Sequence, residues 1–281
     1  MGDPRGIGPE VIVKALQNKK VARLGNFIVV GDRALLAKTK TTLMDVAYRT
    51  PAQGSLKFLE KGVELIKAGI ADALVTAPLS KEAVSRYQKN FRGHTEYLAE
   101  SFGAKQFDMM FVSSKVRLSL VTRHVPLKDV AKLITKKAVF SSIELMEGTL
   151  KQKFRITRPR IAVLGLNPHA GEGGLLGQEE IKHIIPAIRL AQHCGIRAQG
   201  PFPADTFFCH DKGFDGIVAM YHDQGLAPMK GLYFANLVNF TAGLPFVRTS
   251  PVHGTAFDIA GLGKADPSSM IAAIQLAFQL I

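Results

Sequence analysis

The chain of 281 residues is 47% apolar and 21% charged, enough for a large core and ordinary for a folded protein. Its apolar runs fall far short of a bilayer crossing and no basic, apolar leader opens it, so neither a membrane span nor a signal peptide is expected. The net charge of +13 would suit nucleic acid, but the lysines are scattered over helical faces ("KALQNKK", "LITKKAVF") without interleaved aromatics; a solvated basic surface that attracts anionic substrates is read instead.

In chain order, "VIVKAL" continues a helix that starts near Ile7, and "NFIVVGD" (26–32) is a buried strand. Residues 54–69 form a helix with Leu59, Val63 and Ile66 on one face and Gly69 at its end. "ADALVTAPL" (71–79) is a strand and "TEYLAESF" a short helix. "DMMFVSS" and "VRLSLVT" are strands close enough to form a hairpin, which makes the sheet mixed. "KDVAKLITKKAVFSSIELMEGTL" is one long amphipathic helix, "RIAVLGL" a strand, "QEEIKHIIPAIRLAQHCG" a helix stopped by Gly195, and "DGIVAMY" a strand. "DPSSMIAAIQLAFQLI" is a helix with an Asp N-cap and a Pro at its first position. Strands alternating with helices define an α/β sandwich. No repeat, low-complexity tract or linker is seen, so a division into two domains crosses the sheet. Cys194 and Cys209 stand in unrelated contexts with no C-x-x-C; both are read as packing residues in a reducing, cytoplasmic compartment.

In open α/β sheets, ligands bind beyond the carboxyl ends of the strands. Three histidines stand there: His124 after "LSLVT", His169 after "IAVLG" and His222 after "IVAM". They are 45 and 53 residues apart and match no local metal spacing. Each alone reads as a hydrogen-bonded strand-end histidine. Together they are candidate ligands for a divalent metal, since neutral imidazole suits zinc and related ions and three ligands leave a position open. Asp223 and Asp205 are candidate carboxylates beside them, or loop caps.

Other segments carry further candidates. "GDPRGIGPE" (2–10) opens a helix whose amides favour an anion, or is a tight turn; it is not a G-x-G-x-x-G after a strand. "NPHAGEGGLLGQEE" (167–180) is a ligand-approaching loop or a surface turn. "GHTE" places His94 and Thr95 at a helix N-terminus, with Thr95 as cap. Lys230, Asn239 and Arg248, in "PMKGLYFANLVNFTAGLPFVRTSP", offer a point charge, an amide and a planar fork, the parts of an anion clamp. "HGTAFDIAGLGKADP" (253–267) gathers His253, Gly254, Thr255 and Asp258 in a loop that could wrap a nucleotide. His183, His193 and His210 are given no role.

Taken together, "GDPRGIGPE", "DALVTAPLSKEA", "GHTEYLAE", "RHVPL", "LNPHAGEGG", "GPFPADTFF", "DGIVAMYHDQGLAPMK", "VNFTAGLPFVRTSP" and "HGTAFDIAG" occur in one order over nearly the whole chain. In that combination the chain resembles the 4-hydroxythreonine-4-phosphate dehydrogenases of pyridoxal phosphate biosynthesis. The resemblance implies a two-domain α/β/α sandwich of the isocitrate and isopropylmalate dehydrogenase-like type, with a mixed sheet, and not a Rossmann fold. Residues 1–88 with 258–281 would form the nucleotide-side domain and 89–257 the metal and dimer side, with the active site in the cleft between them. It implies His124, His169 and His222 as ligands to one divalent metal (zinc, magnesium or cobalt). It implies His94, Thr95, Lys230, Asn239 and Arg248 as substrate contacts, and His253, Gly254, Thr255 and Asp258 on the side of NAD or NADP. It further implies a homodimer with shared active sites, and no nucleic acid or membrane partner.

The substrate so implied is a phosphorylated 3-hydroxy acid. A chelated metal lowers the hydroxyl's pKa, the nicotinamide takes the hydride, and the 3-keto acid loses carbon dioxide. Lys230, or solvent relayed through Asp223, is the expected base. The resemblance implies a strand ahead of "GDPRGIGPE" that this sequence does not contain, and "AKTKTTLMDVAYRT" and "CHDKGFDG" are shorter than in the family; the metal and substrate motifs are intact. The alternatives are a D-threonate or D-erythronate 4-phosphate dehydrogenase of the same family, a phosphate acyltransferase-like enzyme, and a non-catalytic binding protein.

Overall fold

The structure is a computed structural model that describes residues 1–209 and 213–281; His210 lies outside the described residues. The strands, in chain order, are β1 (Ile28–Gly31), β2 (Thr42–Asp45), β3 (Ala73–Val75), β4 (Asp108–Val112), β5 (Arg117–Leu120), β6 (Arg160–Leu164), β7 (Arg197–Phe202), β8 (Gly216–Ala219), β9 (Val238–Ala242) and β10 (Val247–Pro251). The chain forms two compact units, residues 1–105 with 235–281, and residues 106–234.

In the first unit β10 runs parallel to β3 and antiparallel to β9, while β1 and β2 form a separate parallel pair. The helices Gly8–Gln17 and Ser268–Leu280 share a core, in which Val11 and Ala15 of one meet Met270 and Ile274 of the other. The 51–67 helix starts from Thr50, whose side chain accepts the Gln53 N–H, and stops because Gly69 turns left-handed (φ 66°) just beyond it. A cavity of about 420 Å³ lies in this unit, lined by apolar side chains such as Phe58, Leu59 and Phe278 and reached by His94.

In the second unit the strand order is β4-β5-β8-β6-β7. β4 and β5 are an antiparallel hairpin and the other pairings are parallel, so the sheet is mixed, as expected. β8 is buried along its whole length and β6 from Ile161 onward, because parallel strands are covered on both faces.

Three expectations need correction. The long helix over 128–150 is two helices, Leu127–Leu133 and Lys136–Gln152. Ile134 leaves the helical conformation to enter the core, and the Thr135 side chain then caps the next helix by accepting the Ala138 N–H. The helix of 178–195 opens as a π-helical segment, Glu180–Ile184, and becomes α-helical at Ile185–His193. Pro186 has no N–H to give an i→i−4 bond, which disfavours a regular α-helix there. Finally, Gly93, not Thr95, is the N-cap of the 94–102 helix, and Thr95 is buried inside its first turn. Regular structure also extends where no element was assigned: β9, β10 and the helix His222–Tyr233 lie within residues 222–251.

Candidate functional site

In the first unit, the antiparallel register sets Ser250 of β10 opposite Asn239 of β9. With side chains alternating along each strand, Asn239 and Thr241 share a face with Arg248 and Ser250. Arg248 is 2% exposed. Its two terminal nitrogens donate to Thr241 Oγ1 (3.1 Å) and Thr76 Oγ1 (2.6 Å), both neutral hydroxyls. Its Nε and the Oδ1 of Asn239 are buried with no hydrogen-bond partner among the described residues. Burial pushes the guanidinium down to about 10, still charged at neutral pH, against a lesser pull upward from Glu96. His94 keeps some surface area facing solvent, but its ring sits within packed protein. Burial, and after it the positive fields of Arg248 and Lys81, hold it well below the usual histidine range, so it is neutral. The corner therefore combines a buried cation lacking a carboxylate partner, an unfilled amide oxygen and a neutral imidazole.

The first and last motifs of the chain also meet in this unit. The Ile7 N–H donates to the Thr255 carbonyl at 2.9 Å, and a Cβ at Gly6 would stand 2.8 Å from that oxygen. Asp3, fully buried, grips Arg5 with both oxygens, and Arg5 lies over the ring of Phe257 at 5.3 Å. Glu10 accepts the Ala265 N–H at 2.8 Å. His253 Nδ1 pairs with the Gly254 carbonyl at 3.0 Å, while its Nε2 is buried with no partner among the described residues. Gly254 and Asp258 are exposed.

In the second unit, the rings of His124 and His222 lie 5.7 Å apart, centre to centre. Two imidazoles on one tetrahedral ion hold their centres roughly 5–6 Å apart, given metal–nitrogen bonds near 2 Å, so this pair fits a shared ion. The Nδ1 of His222 pairs with Asp223 Oδ1 at 2.7 Å, which orients the ring and leaves Nε2 for a ligand. His169 lies on the 168–174 loop, exposed, with its Nδ1 on Glu172 at 3.0 Å. Among the described residues no three His, Cys, Asp or Glu side chains converge as a metal cluster, so the structure brings together two of the three histidines. Asp205 is exposed on the short 204–207 helix. Lys230 is exposed, near the far end of the helix that His222 begins, roughly 12 Å along its axis.

Sequence reasoning missed Thr76, Thr241, Glu180 and Gln224. Gln224 donates to the Gly165 carbonyl (2.6 Å) and accepts the Met220 N–H (2.7 Å), tying the end of β6 to that of β8. It stands two residues after His222 in "YHDQG", and that proximity was the available signal.

Comparison with solved structures sets the class of the fold. A β-decarboxylating dehydrogenase from Thermococcus kodakarensis superposes with a TM-score of 0.50 at 14% identity, over 99% of this chain and 81% of that one, which shows the fold alone. The model of the family "Pyridoxal phosphate biosynthetic protein PdxA" matches residues 16–277. A curated 4-hydroxythreonine-4-phosphate dehydrogenase of Sulfurihydrogenibium sp. is 40% identical, covering 100% of this chain and 96% of the relative. The crystal structure of the Klebsiella pneumoniae 4-hydroxythreonine-4-phosphate dehydrogenase superposes with a TM-score of 0.88 at 36% identity, over 100% of this chain and 96% of that one. The chain belongs to the PdxA family, and is an oxidoreductase.

Proposed function

We propose that the chain oxidises 4-phosphohydroxy-L-threonine with NAD or NADP to the 3-keto acid, which loses carbon dioxide to leave 3-amino-2-oxopropyl phosphate, in pyridoxal phosphate biosynthesis. The observation that carries this reading is Arg248: a buried guanidinium held by two hydroxyls, its Nε unfilled, beside the unfilled oxygen of Asn239. A buried cation of this kind suits an anionic ligand, and the neighbouring amide oxygen suits a donor on the same ligand. The names of the relatives supply the substrate.

His94 and Thr95 contact the same substrate, His94 as a neutral hydrogen-bonding group, and Lys230 adds a point charge. His124 and His222 hold a divalent ion (zinc, magnesium or cobalt), with His169 as third ligand. Such an ion, when bound, lowers the pKa of the hydroxyl to be oxidised and polarises the forming carbonyl. Lys230, or solvent relayed through Asp223, takes the hydroxyl proton. His253, Gly254, Thr255 and Asp258 hold the nicotinamide cofactor, and the orphaned His253 Nε2 supports that placement. The enzyme works in the cytoplasm as a homodimer.

The test is NADH or NADPH formation by metal-reconstituted protein, comparing 4-phosphohydroxy-L-threonine with D-erythronate and D-threonate 4-phosphates, with EDTA as control. Preference for the amino substrate, abolished by EDTA, is expected. Preference for a sugar-acid phosphate would overturn the substrate assignment, and turnover indifferent to EDTA would overturn the metal.

A further inference from the structure

Among the described residues, β1 and β3 have one bonded neighbour each. β1 pairs with β2 in a sheet of two strands, and β3 is an edge strand paired with β10 alone. The cavity of about 420 Å³ in this unit runs along their two free edges. Its wall takes in every one of residues 26–30 and 70–77. Side chains alternate along a strand, so a wall that includes each residue in turn is a strand edge and not a face. Such edges present N–H and C=O groups ready for another strand. The rest of the wall is largely helical and apolar, with Phe58 and Leu59 from the 51–67 helix, Ile12 and Leu16 from Gly8–Gln17, and Met270 and Phe278 from Ser268–Leu280. A parallel strand enclosed in this way is a continuous apolar run.

Both strands end at the same mouth of this slot. The Met1 amine donates to the Val30 carbonyl at 2.9 Å, near the end of β1. The Asp3 N–H donates to the Pro78 carbonyl at 2.9 Å, just past the end of β3. A strand that ran through the slot into Met1 would lie parallel to both neighbours and join the β1–β2 pair to β3 and β10. The amine itself is out of place there, since burial pushes its pKa down to about 5. A peptide N–H at that position would keep the bond to Val30 and bring no charge to bury.

We propose that the slot is the seat of one further parallel strand, a run of about five apolar residues joined to the chain ahead of Met1. Thr76 and His94, of the anion corner, line the same slot, so this strand would stand against the candidate site.

The experiment follows thermal unfolding and amide hydrogen exchange of the full chain, alone and in four other forms. Three carry a short added run ahead of Met1: alternating valine and isoleucine, the same run with a proline at its centre, or serines. The fourth is the unextended chain with the valine–isoleucine peptide added in equimolar amount. The fused apolar run is expected to raise the unfolding midpoint by about 5 °C or more and to slow exchange at the amides of β1 and β3. The proline run keeps the apolar surface but breaks the ladder, and should lose most of that gain; the serine run should give none. No rise with the fused apolar run overturns the proposal. An equal rise with the proline run means that the cavity takes apolar bulk and not a strand, which overturns it too. So does a rise without slower exchange in β1 and β3, because the run then sits elsewhere. An equal rise with the free peptide moves the occupant to a separate polypeptide and overturns its attachment ahead of Met1.

Discussion

On the proposed reading, Arg248 is a side chain that works against stability in favour of binding. It is buried, charged and paired to hydroxyls alone, so the fold carries its desolvation without a carboxylate in return. Arg248→Met is therefore expected to leave stability unchanged or raise it by about 1–4 kcal/mol, while removing turnover. Thermal unfolding and kcat/KM on the same samples check this. Asp108 is a second buried charge, and here burial wins: it pushes the carboxyl up to about 6, against the pull of Arg123, 3.0 Å away. A folded-state pKa above the unfolded one means that the fold binds the extra proton. Stability from this group is thus fully present below the ordinary aspartate range, and is lost as pH rises through about 6. Asp108→Asn should flatten that part of the stability–pH curve, followed by urea unfolding at a series of pH values. Neither residue's environment was legible in sequence. The letters single out Arg248 as part of an anion clamp, but only the pairing of β10 with β9 and β3 puts the hydroxyls of Thr241 and Thr76 on its guanidinium.

At the level of elements, the helices were readable where local chemistry decides them and misread where tertiary packing does. The helix over 54–69 carries its apolar face and its glycine stop in its own letters, and the structure ends it at Lys67 with Gly69 beyond. The stretch 128–150 keeps helical periodicity throughout, yet breaks at 134–135, because Ile134 is worth more in the core than in a helical turn. Thr135 then has a defined job, accepting the Ala138 N–H at 3.1 Å. Thr135→Ala should cost about 1 kcal/mol of stability, measured by chemical denaturation. The segment of β9 and β10 was given clamp residues but no element, and Asn, Thr, Arg and Ser interrupt its apolar residues. Those polar letters are buried here, so burial alone does not make a strand read as apolar.

For the whole molecule, no helix among the described residues is long and apolar enough to cross a membrane. Leu127 (72%), Leu175 (84%) and Leu176 (42%) are the kind of exposed apolar side chains that a second copy would cover. On the proposed dimer, sedimentation should give twice the chain mass. Leu175→Glu should weaken that association without lowering the thermal stability of the separated chain. A chain that sediments at its own mass at micromolar concentration would count against the dimer.

The sequence by itself determined the alternation of strands and helices, the mixed sheet and the family, since these follow from periodicity, turn residues and motifs in a fixed order. It also placed the three histidines just past strand ends, because strand boundaries are local. Only the tertiary structure decided which of them meet: His124 faces His222, while the path of the 168–174 loop leaves His169 apart from them. It alone also decided that Arg248 lies between Thr76 and Thr241. Burial, register and the closing of a polar group's hydrogen bonds depend on partners far away along the chain, and no local pattern records them.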